Sequence, residues 1–316
     1  MLQIGYKLSS EEHPPLELVR QARRAEDTGF SFAMISDHFH PWTDRQGQSP
    51  FVWSVIGAVA QATQKLIVGT AVTCPTLRIH PAIIAQAAAT AAAMMPGRFI
   101  LGLGTGENLN EHIFGDRWPS ARIRREMLAE AVQIIRDLWS GKQKSHYGEY
   151  YQVENARIYT LPDQLPPIMI AAGGSQSATL AGEIGDGLVG TAAEPELFKA
   201  FDAAGGVGKP RFGELTVCWA QDEKKARQLA YEMWPIAALQ GPLLSELALP
   251  SYFEQAGGMV DETDVAETVI CGPDPQRHLE AIKKYANAGY DHVFIHQIGD
   301  QDGFFEFYKR KVLPKI

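Results

Sequence analysis

Leu66-Ile-Val-Gly-Thr-Ala-Val-Thr73 and Phe99-Ile-Leu-Gly-Leu-Gly-Thr105 are two short apolar runs. A helical pattern from Pro81 to Met95, with a proline in its first turn, lies between them. Neither run alternates polar with apolar residues. Continuous β-branched and apolar strands are buried on both faces, as a parallel sheet requires. The rhythm extends outward from this pair. Strands are expected at Ile4–Leu8, Phe32–Ser36, Ile168–Ala171, Gly187–Gly190, Leu215–Ala220 and His292–His296. Helices are expected at Pro14–Thr28, Pro50–Thr63, Ser120–Trp139, Ser177–Ile184, Asp222–Trp234, Pro275–Ala288 and Asp302–Lys309. In the first helix Leu16, Val19, Ala22 and Ala25 form the apolar stripe, and Gly29 ends it. Eight strands with helices between them predict an α/β fold, a (β/α)8 TIM barrel with insertions, as a single domain over 1–316. An open doubly wound sheet is the alternative. Two stretches break the rhythm: a tyrosine-rich β excursion near 142–161 and an irregular insertion near 240–262.

The bulk properties agree with this class. The chain has 316 residues, 45% of them apolar and 21% charged, with a net charge of −8. Dispersed acidity argues against nucleic-acid and anionic-membrane partners. No apolar run reaches the roughly 18 residues of a membrane span. The first residues read as a strand and lack the pattern of a signal peptide. Cys74, Cys218 and Cys271 are too few and too widely spaced for a disulfide framework or zinc motif, which suits a reducing cytoplasm.

A barrel places its active site at the C-terminal strand ends, and polar residues gather there in the sequence. Ser36-Asp-His-Phe-His-Pro-Trp42 follows the second strand. Histidine is the common general base near neutral pH. His38 is the better placed of the two, between Asp37 and Trp42; His40 reads as a loop residue. Gly102-Leu-Gly-Thr-Gly-Glu-Asn-Leu-Asn-Glu111 follows the fourth strand. Its glycines would let backbone approach a flat or phosphorylated ligand. Glu107 and Asn110 offer polar groups at the mouth, with helix capping the simpler reading of Asn110 and Glu111. Ala171-Ala-Gly-Gly-Ser-Gln176 opens a helix after the fifth strand. Free N–H groups there would make an anion site; a plain tight turn is the alternative. Glu11, past the first strand, faces His38 across the mouth or stands as a solvated acid.

These segments, with Gly69-Thr-Ala-Val72 and Pro96-Gly-Arg-Phe99, resemble the luciferase-like flavin and deazaflavin oxidoreductases. They are most similar to the group typified by the coenzyme F420-dependent glucose-6-phosphate dehydrogenases. The resemblance covers nearly the whole chain. It implies an F420-dependent oxidoreductase moving a hydride between an alcohol or sugar, or the matching carbonyl in reverse, and the deazaflavin. His38 would be the base at the substrate hydroxyl, Glu11 its supporting carboxylate, Trp42 a wall that stabilises charge, and Glu107 the acid beside the cofactor ring. Asp37, Thr105, Gly106 and Asn110 would contact the cofactor, Ala71 and Val72 would buttress its ring through a cis peptide bond, and Ala171, Gly173 and Gly174 would line its phosphate-bearing side. Two-electron hydride transfer needs no metal. A homodimer is usual in the family, and the helices near 50–63 and 81–95 are apolar enough to form the interface.

The chain departs from the sugar-phosphate enzymes at the substrate side. Their phosphate-holding lysines align with Glu194 and Glu267, beside Thr191 in the expected pocket. Carboxylates there would repel a phosphate dianion, so glucose 6-phosphate is not expected to be the selected substrate. An FMN-dependent monooxygenase of the same superfamily and a non-enzymatic flavin-binding or storage protein are the competing readings.

Overall fold

The computed structural model describes residues 2–239 and 241–316; Met1 and Gln240, the latter in the 240–262 stretch, lie outside the described residues. Among the described residues eight parallel strands form the barrel. They are β1 (Gln3–Leu8), β2 (Phe32–Ile35), β3 (Ile67–Thr70), β4 (Phe99–Leu103), β5 (Ile168–Ala171), β6 (Gly187–Gly190), β7 (Arg211–Cys218) and β8 (His292–Gln297). They pair in the order β7-β8-β1-β2-β3-β4-β5-β6, and β6 pairs back to β7 through Leu188↔Arg211 and Gly190↔Gly213. That last pairing closes the barrel and excludes the open sheet. A two-residue strand, Ile270–Cys271, pairs in parallel with Val217 and Cys218 at the end of β7.

The lumen is layered. Phe32, Met34, Ile100, Met169, Val189, Phe212 and Phe294 fill it with apolar side chains, and half-buried Ala71 and Val72 pack on this cluster. Lys7 and Glu214 form a buried ion pair between β1 and β7, with Nζ 2.7 Å from Oε1. His296 on β8 is fully buried, with Nε2 2.7 Å from Glu12 Oε2 and Nδ1 4.0 Å from Glu214 Oε1. Burial alone would lower the Lys7 ammonium, but the Glu214 and Glu11 carboxylates outweigh it and raise it.

Helices α1 (Pro15–Thr28), α2 (Val52–Ala62), α3 (Pro81–Met94), α4 (Ala121–Leu138), α5 (Ser175–Ile184), α6 (Pro195–Phe201), α7 (Glu223–Met233), α8 (Pro275–Ala288) and α9 (Gln301–Phe307) accompany the strands. Their ends follow local chemistry. Asp222 and Asp274 accept the Lys225 and Gln276 N–H groups at the starts of α7 and α8, and left-handed Gly29 and Gly289 stop α1 and α8. The stripe of α1 differs from the expected one. Leu16 is 81% exposed, and the buried face is Leu18, Gln21, Ala22 and Ala25. The i, i+4 pair Leu18–Ala22 sets the face, so Leu16 falls outside it.

The tyrosine-rich excursion is an antiparallel pair, Lys144–Tyr147 with Gln152–Ala156. The irregular stretch contains helices Leu243–Glu246 and Pro250–Gly257, and helix Glu262–Thr268 starts at its end. Among the described residues no helix is long and apolar enough to cross a membrane, and no cluster of His, Cys, Asp and Glu could hold a metal.

Candidate active site

The segment Ser36–Phe51 leaves β2 at its C-terminal end and carries His38 and Trp42 into the barrel mouth. Two clamps hold its start. Asn110 Oδ1 accepts the backbone N–H of Phe39 at 2.8 Å and of His40 at 3.2 Å. Ser49 donates its hydroxyl to the His38 carbonyl at 2.7 Å. The His38 Nδ1 lies 3.2 Å from the His40 carbonyl oxygen, which can only accept, so this contact favours a proton on Nδ1 and a lone pair on Nε2. Nε2 is 3.4 Å from Glu11 Oε1. The Trp42 indole lies against the imidazole, with ring centroids 5.0 Å apart.

Glu11 is fully buried, which removes the reading as a solvated acid. Its Oε2 accepts the Ser36 hydroxyl at 2.6 Å and the Ser9 hydroxyl at 3.0 Å. Its Oε1 is buried without a hydrogen bond. Burial alone would raise this carboxyl, but the facing His38 ring, the Lys7 ammonium and the Ser36 hydroxyl hold it at about 2.

On the β4 side, Asn110 does not cap a helix, against the simpler reading. It sits inside the short helix Asn108–Glu111 and donates Nδ2 to Glu107 Oε2 at 3.2 Å. One amide therefore fixes both the segment bearing His38 and the half-buried Glu107 carboxylate. Thr105 and Gly106 are also half-buried at this rim. Gly102 in β4 and Gly104 just past its end make room for β3 and the residues that follow it. A Cβ on Gly102 would lie 1.9 Å from the Thr70 carbonyl oxygen, and one on Gly104 would lie 2.5 Å from a Val72 methyl. The expected ligand approach is thus not their packing reason. The peptide bond between Ala71 and Val72 is cis.

Asp37 turns to partners within the protein. Its Oδ2 accepts the Thr73 hydroxyl at 2.7 Å, and its Oδ1 accepts Arg78 Nη2 at 2.8 Å. Arg78 also reaches Glu111, with Nε 3.5 Å from Oε1. Glu111 Oε2 accepts the Leu77 and Arg78 backbone N–H groups and the Thr76 hydroxyl. Burial raises the Glu111 carboxyl despite these donors. Arg78 escaped the sequence reading because one arginine in a loop after β3 carries no spacing signal; only the fold brings it to Asp37.

Gly173 and Gly174 are exposed at the start of α5, and an added Cβ at either would meet nothing within 4 Å. Ala171 is half-buried beside them. Thr191 and Glu194 follow β6. Thr191 gives its carbonyl to the Tyr285 hydroxyl at 3.1 Å, and exposed Glu194 occupies the N-cap position of α6. Glu267 is exposed on helix Glu262–Thr268, a separate element.

These residues fit a flat, anionic cofactor on the β3–β5 side. Ala71 and Val72 offer apolar surface, Glu107 and Asn110 a polar rim, and the open glycines at the start of α5 free backbone N–H groups. Residues 2–292 match the family model described as Luciferase-like monooxygenase. The chain is 35% identical to an F420-dependent glucose-6-phosphate dehydrogenase of Microbacterium testaceum, covering 100% of this chain and 97% of the relative. It is 37% identical to F420-dependent glucose-6-phosphate dehydrogenase 2 of Rhodococcus jostii, covering 100% and 98%. Among solved structures it is similar to an F420-dependent secondary alcohol dehydrogenase in complex with an F420-acetone adduct, with 31% identity, a TM-score of 0.91 and 98% of each chain covered. A coenzyme F420-dependent tetrahydromethanopterin reductase from Methanopyrus kandleri, 21% identical with a TM-score of 0.82, shares the fold. The chain belongs to the luciferase-like monooxygenase family, and within it is similar along its whole length to the F420-dependent glucose-6-phosphate dehydrogenases.

Proposed function

We propose that this protein is a coenzyme F420-dependent dehydrogenase acting on CH–OH groups, or on the matching carbonyl in reverse. The observation that carries this reading is the buried Glu11 Oε1, without a hydrogen bond and 3.4 Å from His38 Nε2. A buried carboxylate oxygen left unpaired calls for an explanation. A base that becomes an imidazolium supplies one: Oε1, close to Nε2 but not hydrogen-bonded to it, balances the new positive charge and leaves Nε2 to face the substrate hydroxyl. His38 removes the hydroxyl proton, Glu11 stabilises the resulting imidazolium, and Trp42 walls the substrate against them. Coenzyme F420, when bound, supplies the two-electron hydride acceptor. Asp37, Thr105, Gly106 and Asn110 would hold its ring against Ala71 and Val72, and Ala171, Gly173 and Gly174 would receive its phosphate. Glu107, oriented by Asn110, would be the acid on that side.

The substrate is an uncharged alcohol rather than a sugar phosphate. Exposed Glu194 and Glu267 support this, because neither can clamp a dianion. The similarity to a secondary alcohol dehydrogenase points the same way. Thr191 would line the same pocket. We also propose a homodimer, and a cytoplasmic location in keeping with three free, buried thiols.

Purified protein should bind F420 with micromolar or better affinity and change its visible absorbance on adding 2-propanol. His38→Ala should retain F420 binding and lose about 10²-fold or more in kcat. Binding of FMN with no affinity for F420 would sink the cofactor assignment, and unchanged turnover in His38→Ala would remove His38 as the base.

A further inference from the structure

The helix Pro250–Gly257 has no role in the reaction as described, yet it reaches the proposed base through one residue. Phe253 is fully buried, and its ring meets the Trp42 indole edge-on at 5.2 Å. Trp42 in turn lies 5.0 Å from His38. Hydrogen bonds join the same two regions beside these rings. Gln46 accepts the Trp42 backbone N–H at 2.9 Å and donates to the Met233 carbonyl at 3.2 Å, at the end of α7. Glu254, next to Phe253, accepts the Asp44 backbone N–H at 3.1 Å. The neighbouring Leu243–Glu246 helix is pinned as well: Asn108 donates Nδ2 to the Glu246 carbonyl at 3.0 Å, and Arg124 reaches the Glu246 carboxylate at 3.2 Å.

These contacts single out Phe253. The backbone of the segment 38–46 is fixed by hydrogen bonds, but those bonds do not fix the indole plane of Trp42. An aromatic side chain turns about two torsions, and its plane is set by what packs against it. Among the described residues Trp42 has two aromatic neighbours, His38 and Phe253. Phe253 is itself immobilised in a separate buried cluster with Leu109, Trp234, Ile236 and Val265. We propose that Phe253 is a positioning residue: it holds the Trp42 indole against the His38 imidazole and so limits the size of alcohol admitted beside the base. The size limit rests on the dehydrogenase reading; the positioning does not.

The test uses full-length Phe253→Leu and Phe253→Ala proteins. The His38 ring ε1 resonance, identified by its loss in His38→Gln, reports the ring current of Trp42, and Trp42→Ala gives its value without the indole. Phe253→Ala should move the resonance toward that value, and Phe253→Leu should move it less in the same direction. Should Phe253→Ala not fold, Phe253→Leu decides alone. With F420, the ratio of kcat/KM for cyclohexanol over 2-propanol should rise about tenfold in Phe253→Ala and less in Phe253→Leu. The dissociation constant for F420 should not change. An unmoved resonance in the folded variants overturns the proposal, as does an unchanged alcohol ratio in active variants. A wild-type protein that oxidises neither alcohol removes the dehydrogenase reading, and the resonance then decides the positioning claim by itself.

Discussion

Glu11 is where a single side chain connects stability to chemistry. Its carboxyl is held at about 2, against 4.5 for an ordinary glutamate. A group whose folded value lies below its unfolded value adds stability above the unfolded value. That stability is lost as pH falls from 4.5 to about 2. The linked contribution is on the order of 3 kcal/mol at neutral pH. Glu11→Gln should therefore be less stable than wild type at pH 7 in urea unfolding. The gap should narrow steadily below pH 4.5, and a gap that stays constant to pH 2.5 would show that Glu11 is not the linked group. The same variant should lose kcat, since an amide cannot balance an imidazolium. Strand ends alone leave Glu11 either facing His38 or solvated, and only the family resemblance favours the pairing. Lys7, Glu214 and His296 were not legible in the sequence, because charged residues within strands offer no pattern. They become intelligible only when β1, β7 and β8 lie side by side.

At the scale of elements, the glycines at and just after the end of β4 and those of the loop before α5 do opposite work. Gly106 has φ +75°, and a Cβ there would sit 2.4 Å from Cys74 Sγ. Gly106→Ala combines left-handed backbone with overpacking and should cost about 2–4 kcal/mol, read as a lower urea midpoint. Gly173→Ala meets open space and should leave the midpoint unchanged while weakening F420 binding, because the proposed cofactor then loses close approach to the backbone. Equal loss of stability in both variants would contradict this division. The two glycine clusters look alike in the sequence, and only neighbours in space separate them. The same limit explains the errors in the elements. All eight barrel strands were legible from their apolar runs, but the two-residue strand Ile270–Cys271 was not, and β7 begins at Arg211, four residues before the expected start. Glu214 interrupts its pattern, and the Lys7 partner that lets it be buried lies more than two hundred residues away in sequence. The helix Pro195–Phe201 was missed because only seven residues give too little periodicity.

At the scale of the molecule, the face formed by α2 and α3 matters. Residues 243–257 pack beside the barrel mouth through Phe253 on Trp42 and the Glu246 carbonyl on Asn108. Between α2 and α3, however, lies an apolar groove of about 260 Å³ lined by Trp53, Ile56, Ile83, Ala87 and Met94. Phe51 and Ile83 are more than half exposed beside it, and Met94 is 39% exposed. Neighbouring large apolar side chains left in water on two helices without a charged residue mark an association surface. Half-buried Ala87 and Ala93 on α3 add to the fit, since small side chains let a second helix approach closely. A two-fold arrangement would bring α2 and α3 of one copy onto those of the next and remove these residues from water together. Wild-type protein should therefore run as a dimer in light scattering at micromolar concentration. Ile83→Glu and Met94→Glu should each weaken the dimer and together yield a folded monomer, because two carboxylates would be desolvated without partners. F420 binding should survive in that monomer, since the proposed cofactor residues belong to the strand ends and not to this groove. Wild-type protein that is monomeric across the working range would remove the dimer, and a dimer unaffected by both charges would move its interface to another face.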